Sequence, residues 1–369
     1  MRRMRRMDRL FLRVLLLPVL LCGCAARPGE EDVETDTFLQ QALAVAASYR
    51  DLCAEDNCDI PAILAWLDEK GISAVDVAGR FPFVNQEPLK AFFASPSSAE
   101  ETAVWFVRIC QDGGLIDTIL IRGDGEERCR MVRVAWQGGE AAVTYDLEYP
   151  LTRLTLTDKG YLIFTCDIPD NTAESDHDGY VEPTAMIRLE PLNEPCRAWT
   201  EKLTALGYRG HDLFTTDWTA GDLSAVKLND LFPVLYRAET GTLLSYFDNP
   251  WPMEEQRDIT LVPAEVFEDL LLRYLDVTRD AVRTAADYDT EADAYPVPIQ
   301  SLHGPGENPV PEVTAVRDHG DGTVTLTVDA LSVERATDRA FTHLLTLRLC
   351  EDGRYRFVSN EMLRGNGAA

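Results

Sequence analysis

Between Thr102 and Asp167 the chain passes through about six strand-like runs, several of them alternating apolar and polar residues: "AVWFVRIC", "LIDTILIR", "CRMVRVAW", "AAVTYDLE", "LTRLTLT" and "GYLIFTCD". No other feature narrows the fold as far. A period of two turns one side of each stretch toward a core, and the joining segments QDGG, GDGEE, QGGE, YP and DKG read as hairpin turns. Strands joined this tightly pair antiparallel with their sequence neighbours. The region is therefore expected to form an antiparallel meander.

The residues before it have a helical period. In "DTFLQQALAVAASYRDLC" the apolar residues Phe38, Ala42, Val45, Ala46 and Tyr49 share a face, and Asp36 or Thr37 can cap the start. "IPAILAWLDEKG" has proline in its first turn and stops at Gly71. Short helical pieces follow near Val75 and at 89–93.

The order then repeats. After "IPDNTAESDHDGYVEPT", which has no apolar period and reads as a boundary loop, helices are expected in "NEPCRAWTEKLTALGY", "DLSAVKLNDLFPVLYR" and "VPAEVFEDLLLRYL", with a short one from Thr278. Strands are expected in "PEVTAVRD", "TVTLTVDALSV", "FTHLLTLRLC" and "RYRFVSNEML", with turns at HGDG and EDG. Helices followed by a meander, without βαβ alternation, is an α+β signature. The expectation is an α+β protein of two helix-then-antiparallel-meander units, at 37–187 and 188–365, each sheet curled over its helices. An NTF2-like or cystatin-like sheet fits each half.

The first 24 residues form a different kind of segment. Arginines at 2, 3, 5, 6, 9 and 13 precede the apolar run Leu10–Leu21, which is too short to span a membrane comfortably and reads as an export signal. It ends in Leu21-Cys22-Gly23-Cys24, which resembles the bacterial lipobox. With Cys24 as lipid acceptor, Gly23 fills the position that needs a small residue, whereas acceptance at Cys22 would put Leu21 there. The expectation is cleavage before Cys24, lipidation of Cys24, and a polar tether over 25–36. Two or three acyl chains on one cysteine suffice for stable anchoring. The chain would then stand on the outer face of the bacterial cell membrane, attached through its lipid only.

Charge narrows the partners. The chain carries 35 basic and 62 acidic residues, a net −27, and becomes still more negative once six arginines and Asp8 leave with the signal. Such a surface repels nucleic acid and anionic lipid.

Catalytic signatures are sparse. Ser224-Ala225-Val226-Lys227 matches the SxxK of penicillin-interacting serine enzymes at the start of an expected helix, but no KTG or SDN follows, and helix capping explains the same letters. No GxSxG, HExxH or phosphate-binding glycine loop occurs. His177, His211, His303, His319 and His343 are scattered, with His343 in an alternating strand. "ESDHDGYVEP" imitates a calcium loop from Glu174, but Ala185 takes the place of the bidentate glutamate. No cysteine spacing suits zinc. Seven cysteines remain in the body: Cys53 and Cys58, in "CAEDNC", suit a local disulfide, and Cys110, Cys129, Cys166 and Cys350, in or at the ends of strand-like runs, suit buried thiols. No catalytic residue, metal or cofactor is expected.

One stretch suits binding. Tyr246-Phe247-Asp248-Asn249-Pro250-Trp251-Pro252-Met253 concentrates large apolar side chains on a proline-stiffened loop. Tyr246, Phe247 and Trp251 are the candidates for contact with a protein or glycan partner, although covering the junction between the halves would explain them too.

At "TDKGYLIF", "GHDLFTTDW…KLNDLFPVLYRAETG" and "PEVTAVRDHGDGTVTLTVDAL…AFTHLLTLRL" the chain resembles a family of clostridial-type Gram-positive lipoproteins of unknown function. The resemblance implies a Gram-positive membrane surface and supplies no activity, cofactor or site residue. The expected function is a lipid-anchored, non-catalytic protein that binds a ligand or partner. The alternative is a cell-envelope hydrolase with an unrecognised active site.

Overall fold

A computed structural model describes residues 36–54, 57–79, 81–95, 100–168, 183–299 and 309–363. The chain divides at Gln40 into a short first unit and one long compact unit from Gln41 onward. Of the first, residues 36–40 open helix α1 (Thr37–Ser48), where the Asp36 carboxylate accepts from the N–H groups of Phe38 and Leu39. Within the second, α1 buries Ala42, Val45 and Ala46, at the expected spacing.

A two-residue pair follows, β1 (Cys53–Ala54) with β2 (Asn57–Cys58). Helix α2 (Ile60–Glu69) begins at Asp59, whose carboxylate accepts from the Ala62 N–H, and holds proline in its first turn. The next elements are β3 (Ala74–Asp76), α3 (Glu87–Ala94), β4 (Thr102–Ile109), β5 (Leu115–Gly123), β6 (Glu126–Gln137), β7 (Glu140–Leu156), β8 (Tyr161–Cys166) and β9 (Thr184–Arg188). Strands β3 to β9 form one sheet in sequence order.

The meander from β4 to β8 is as expected, with three differences. "AAVTYDLE" and "LTRLTLT" are one strand, β7. Its first part pairs with β6 and its last part with β8, and the changeover falls at Pro150, where the missing proline N–H does least harm. YP is thus a corner, and the sheet curls there. Register shifts at Arg133/Val134 and Leu151/Arg153 add to the bend. Across the corner Cys129 of β6 meets Cys166 of β8, thiol to thiol. Secondly, an additional strand, β9, starts at Thr184, the last residue of the stretch read as a boundary loop. Thirdly, β3 runs parallel to β4 and is joined to it through α3, so one edge departs from the purely antiparallel expectation. Three consecutive buried residues at 74–76 carry no alternation to reveal it.

The expected boundary between residues 187 and 188 lies at the end of β9. Beyond it come α4 (Glu194–Thr204), capped by Asn193, β10 (Trp218–Thr219) and α5 (Leu228–Thr240), which ends at Gly241 with φ +73°. Then follow β11 (Met253–Glu254), β12 (Ile259–Pro263), α6 (Ala264–Tyr274), α7 (Arg279–Ala285) and β13 (Ala294–Pro298), the strands forming a small sheet of their own. Finally β14 (Val310–Asp318), β15 (Thr323–Ser332), β16 (Thr337–Leu349) and β17 (Tyr355–Leu363) form a meander extended by β10.

The largest core joins Leu203, Phe214, Phe232, Phe267 and Leu271 from the helices and loops to Val328, Leu345 and Phe357 of this sheet. The molecule is α+β, each meander following its helices. Among the described residues, no helix is long and apolar enough to cross a membrane.

Candidate functional site

Alternation on β4 sends Val104, Phe106 and Arg108 to one face of the seven-stranded sheet, and Cys110 follows just past the end of the strand. Near one end of that face Leu89 and Phe92 of α3 pack over Val104, Phe106 and Leu120. Toward the other end lies an open trough of about 570 Å³.

A cross-strand row builds its floor. Arg108 stands opposite Ile116, Ile116 opposite Arg133, and Arg133 opposite Tyr145. All four line the trough, together with Met131 and Phe164. Strand β9 contributes Met186 and Arg188, and Val333 enters from beyond β15. A second hollow of about 530 Å³ shares Ala78, Gly79, Met186, Arg188 and Val333, and continues to Thr200 of α4 and Glu312 of β14.

The three arginines differ in how they are held. Arg188 is fixed: it donates to Glu312 at 2.6 Å and to the Glu190 carbonyl at 2.6 Å, and lies over the Tyr161 ring at 5.1 Å. Among the described residues the only carboxylate that Arg133 approaches is Asp112, at 3.7 Å. Arg108 has no carboxylate partner among the described residues. Its Nη2 meets the Met131 sulfur at 3.4 Å, its guanidinium lies 6.0 Å from the Phe164 ring centre, and its Nε is buried without a hydrogen-bond partner.

The remaining polar groups are held in uncharged or occupied states. Burial pushes the Cys110 thiol up, against the pull of Arg133, and burial likewise raises the Tyr145 phenol. Asp76 accepts from the Phe81 N–H at 2.9 Å. No thiolate or phenolate is available at neutral pH, so these groups suit holding a ligand better than attacking one.

Beneath the second hollow lies an ionic cluster. Glu312 is 2% exposed and receives Arg188, the Tyr161 hydroxyl and Lys159. Lys159 lies 2.9 Å from Glu312 Oε1 but off the hydrogen-bonding direction, which makes the contact an ion pair. Asp329, 2% exposed, receives Lys159, Arg339 and Thr342. Burial raises the Asp329 carboxyl, but these donors outweigh it and hold it below the usual range.

The residues singled out in the sequence lie elsewhere. Cys24, His177, His303 and residues 174–182 of the calcium-like loop fall outside the described residues. Cys53 and Cys58 stand directly opposite each other as thiols, both pressing on the place a Cβ would occupy on Gly113, whose φ is +77°. Ser224 lies in an exposed turn, not on a helix, and Lys227 pairs with Asp212 at 3.0 Å. The helix starts only at Leu228, so the SxxK letters carry no catalytic geometry.

His343, in β16, is fully buried with both ring nitrogens hydrogen-bonded. Asn360 spends its amide N–H on the Thr216 carbonyl, so its oxygen accepts from His343 Nδ1 at 2.5 Å, and Nε2 accepts from Tyr208 at 2.9 Å. Among the described residues no group of three or more His, Cys, Asp or Glu is placed to hold a metal.

The aromatic loop splits in two. Trp251 is half-buried on α5, its ring 5.9 Å from Phe232 and 5.3 Å from Tyr236. Tyr246 is exposed and donates to Asp258, and Phe247 is 96% exposed.

The family model described as "Family of unknown function (DUF6070)" matches residues 34–369. The chain belongs to DUF6070. Comparison with curated proteins and with solved structures finds no match. Every residue of the trough lies in the DUF6070 match, whereas Cys24 precedes it. Sequence reasoning missed the trough, although one signal pointed to it: Arg108 and Arg133 directly continue the apolar phases Val104-Phe106 of β4 and Cys129-Met131 of β6.

Proposed function

We propose that this is a lipid-anchored extracytoplasmic protein, attached through Cys24 to the outer face of a Gram-positive cell membrane, that binds a ligand without transforming it. The trough over Ile116 is its binding site. The observation that carries this reading is the trough's construction: an apolar floor, two weakly engaged arginines, and a thiol and phenol that burial keeps protonated. A volume of about 570 Å³ falls in the range of small-molecule sites, roughly 300–1,000 Å³. The lipobox at Leu21–Cys24 supports the anchor.

Two measurements test it. Cys24→Ala should release the protein from the membrane fraction or leave its signal uncleaved; membrane retention with normal processing overturns the anchor. NMR with a mixed panel of acidic, basic and neutral fragments should shift resonances around Ile116 and Met131, and Met131→Trp, which fills the floor, should abolish those shifts while the fold persists. Shifts confined to other regions overturn the site.

A second reading, a protein or glycan partner docking at the Tyr246–Trp251 loop, is supported by the exposure of Phe247 at its tip.

A further inference from the structure

The seven-stranded sheet treats its arginines unequally. Arg122 reaches Glu127 at 2.9 Å, Arg128 reaches Glu148 at 2.8 Å, and Arg130 reaches Asp146 at 2.7 Å. In a chain with 62 acidic and 35 basic residues, a carboxylate is easily found for an arginine. Arg108 has none among the described residues, and Arg133 has only a distant one. We infer that the ligand of the trough is a small organic oxyanion, its carboxylate or phosphate gripped between Arg108 and Arg133, with an apolar body against Ile116, Met131 and Phe164. This rests on the trough being the binding site.

The register supplies the spacing. One strand separates Arg108 from Arg133, which sets their backbones about 10 Å apart, two strand spacings. Long side chains rising from the same face at that distance can close on one oxyanion from two sides, and guanidinium forks match planar or tetrahedral oxyanions bidentately. A buried N–H without a partner is unfavourable to leave unmade. The Arg108 Nε is such a donor, so the protein itself leaves this guanidinium incompletely satisfied.

The rest of the wall restricts the class further. Carboxylates near the grip are already occupied: Asp76 by the Phe81 N–H, and Asp112 by the Gly114 N–H at 2.9 Å and by Arg133. A cationic ligand would meet two guanidiniums. Inorganic phosphate would leave most of 570 Å³ unfilled. A nucleic acid would be repelled by the net charge of −27. An anion with an apolar ring or chain meets both the charge and the floor.

Titration calorimetry on the full chain lacking residues 1–24 tests this with four probes: benzoate, phenyl phosphate, benzyl alcohol and inorganic phosphate. Benzoate or phenyl phosphate should bind saturably, and comparing them separates carboxylate from phosphate. Benzyl alcohol and inorganic phosphate should bind at least about tenfold more weakly. Arg108→Gln and Arg133→Gln should each weaken the bound oxyanion about tenfold without lowering Tm, and Arg354→Gln, in the turn between β16 and β17, should leave it unchanged. If benzyl alcohol binds as well as the oxyanions, or Arg108→Gln leaves their affinity intact, the oxyanion assignment is overturned while the trough remains a binding site. If neither these probes nor the mixed fragment panel perturbs resonances around Ile116, the site itself fails and the assignment with it.

Discussion

Lys159 Nζ, in the turn between β7 and β8, donates to Asp329 Oδ2 of β15 at 2.8 Å, across 170 residues of sequence. The same ammonium lies 2.9 Å from Glu312 of β14. One cation therefore serves two carboxylates that are almost fully buried. Leaving a buried charge without any partner typically costs about 3–5 kcal/mol, but Glu312 keeps Arg188 and Asp329 keeps Arg339 when Lys159 is removed. Lys159→Met should therefore lower unfolding stability by less than that range, and Lys159→Arg, which keeps the charge, should lose less still. Urea denaturation gives the comparison, and equal losses would mean that shape rather than charge matters here.

Stability should peak near pH 6.5. Burial lowers His211 and His343 to about 4, and each is hydrogen-bonded as a neutral ring. Below their unfolded value near 6.5 the unfolded chain binds protons that the fold does not, so stability falls with falling pH, by about 3 kcal/mol per histidine by pH 4.

Asp117 acts in the opposite direction. It stands between Val107 and Val132, its carboxyl oxygens lack hydrogen-bond partners, and burial pushes it up to about 8. From about pH 4 to 8 the fold holds a proton that the unfolded chain has lost, so stability falls as pH rises. Two histidines outweigh one aspartate below 6.5, and above it the aspartate acts alone. Tm measured from pH 5 to 8.5 should show this maximum. Asp117→Asn should flatten the alkaline side and leave the acid side in place; an unchanged alkaline slope would falsify the assignment.

Cys53 and Cys58 should form a disulfide in an oxidising medium. Burial, then the neighbouring Cys58, pushes the Cys53 thiol up to about 12, which slows its own attack. The pair is nonetheless directly opposed and close over Gly113. Closing so short a loop should contribute about 2 kcal/mol. Mass spectrometry after thiol alkylation should find 53 and 58 protected together, and Cys58→Ser should remove the protection and lower Tm.

The sequence carried much of the fold because local signals and long-range pairing agreed there. Alternation and DGG-type turns placed β4 to β8 and β14 to β17, and Pro61 and Gly71 marked the ends of α2. The losses have distinct causes. Strand β3 is buried on consecutive residues, β9 follows an acidic stretch, and β12 and β13 carry Pro263, Pro296 and Pro298, which argue against strands until an edge or short sheet tolerates them. Glu268 sits in the middle of an amphipathic helix but is fully buried, receiving Arg279 and Arg283 at 2.5 Å and Tyr295 at 2.9 Å. The trough escaped for a related reason. Its parts come from every strand from β3 to β9 and from Val333, and only the core-phase arginines hint at it.

The aromatic loop separates a structural residue from an exposed one, and two substitutions distinguish them. The Trp251 backbone N–H is held by the Asn249 side chain, which also accepts from Thr260 at 3.1 Å. The indole packs edge-on to Phe232 and Tyr236, and Phe232 stacks on Phe267 at 5.1 Å in the main core. Full truncation of a buried tryptophan costs about 3–5 kcal/mol, and a half-buried one should cost about 2. Trp251→Ala should therefore lower Tm by several degrees. Phe247 is free of that packing, and its removal should change stability by no more than about 0.5 kcal/mol. If a partner docks at this loop, Phe247→Ala should weaken its capture while the melting curve stays in place. A Tm loss from Phe247→Ala as large as that from Trp251→Ala would show that the tip is part of the packing and not a free contact surface.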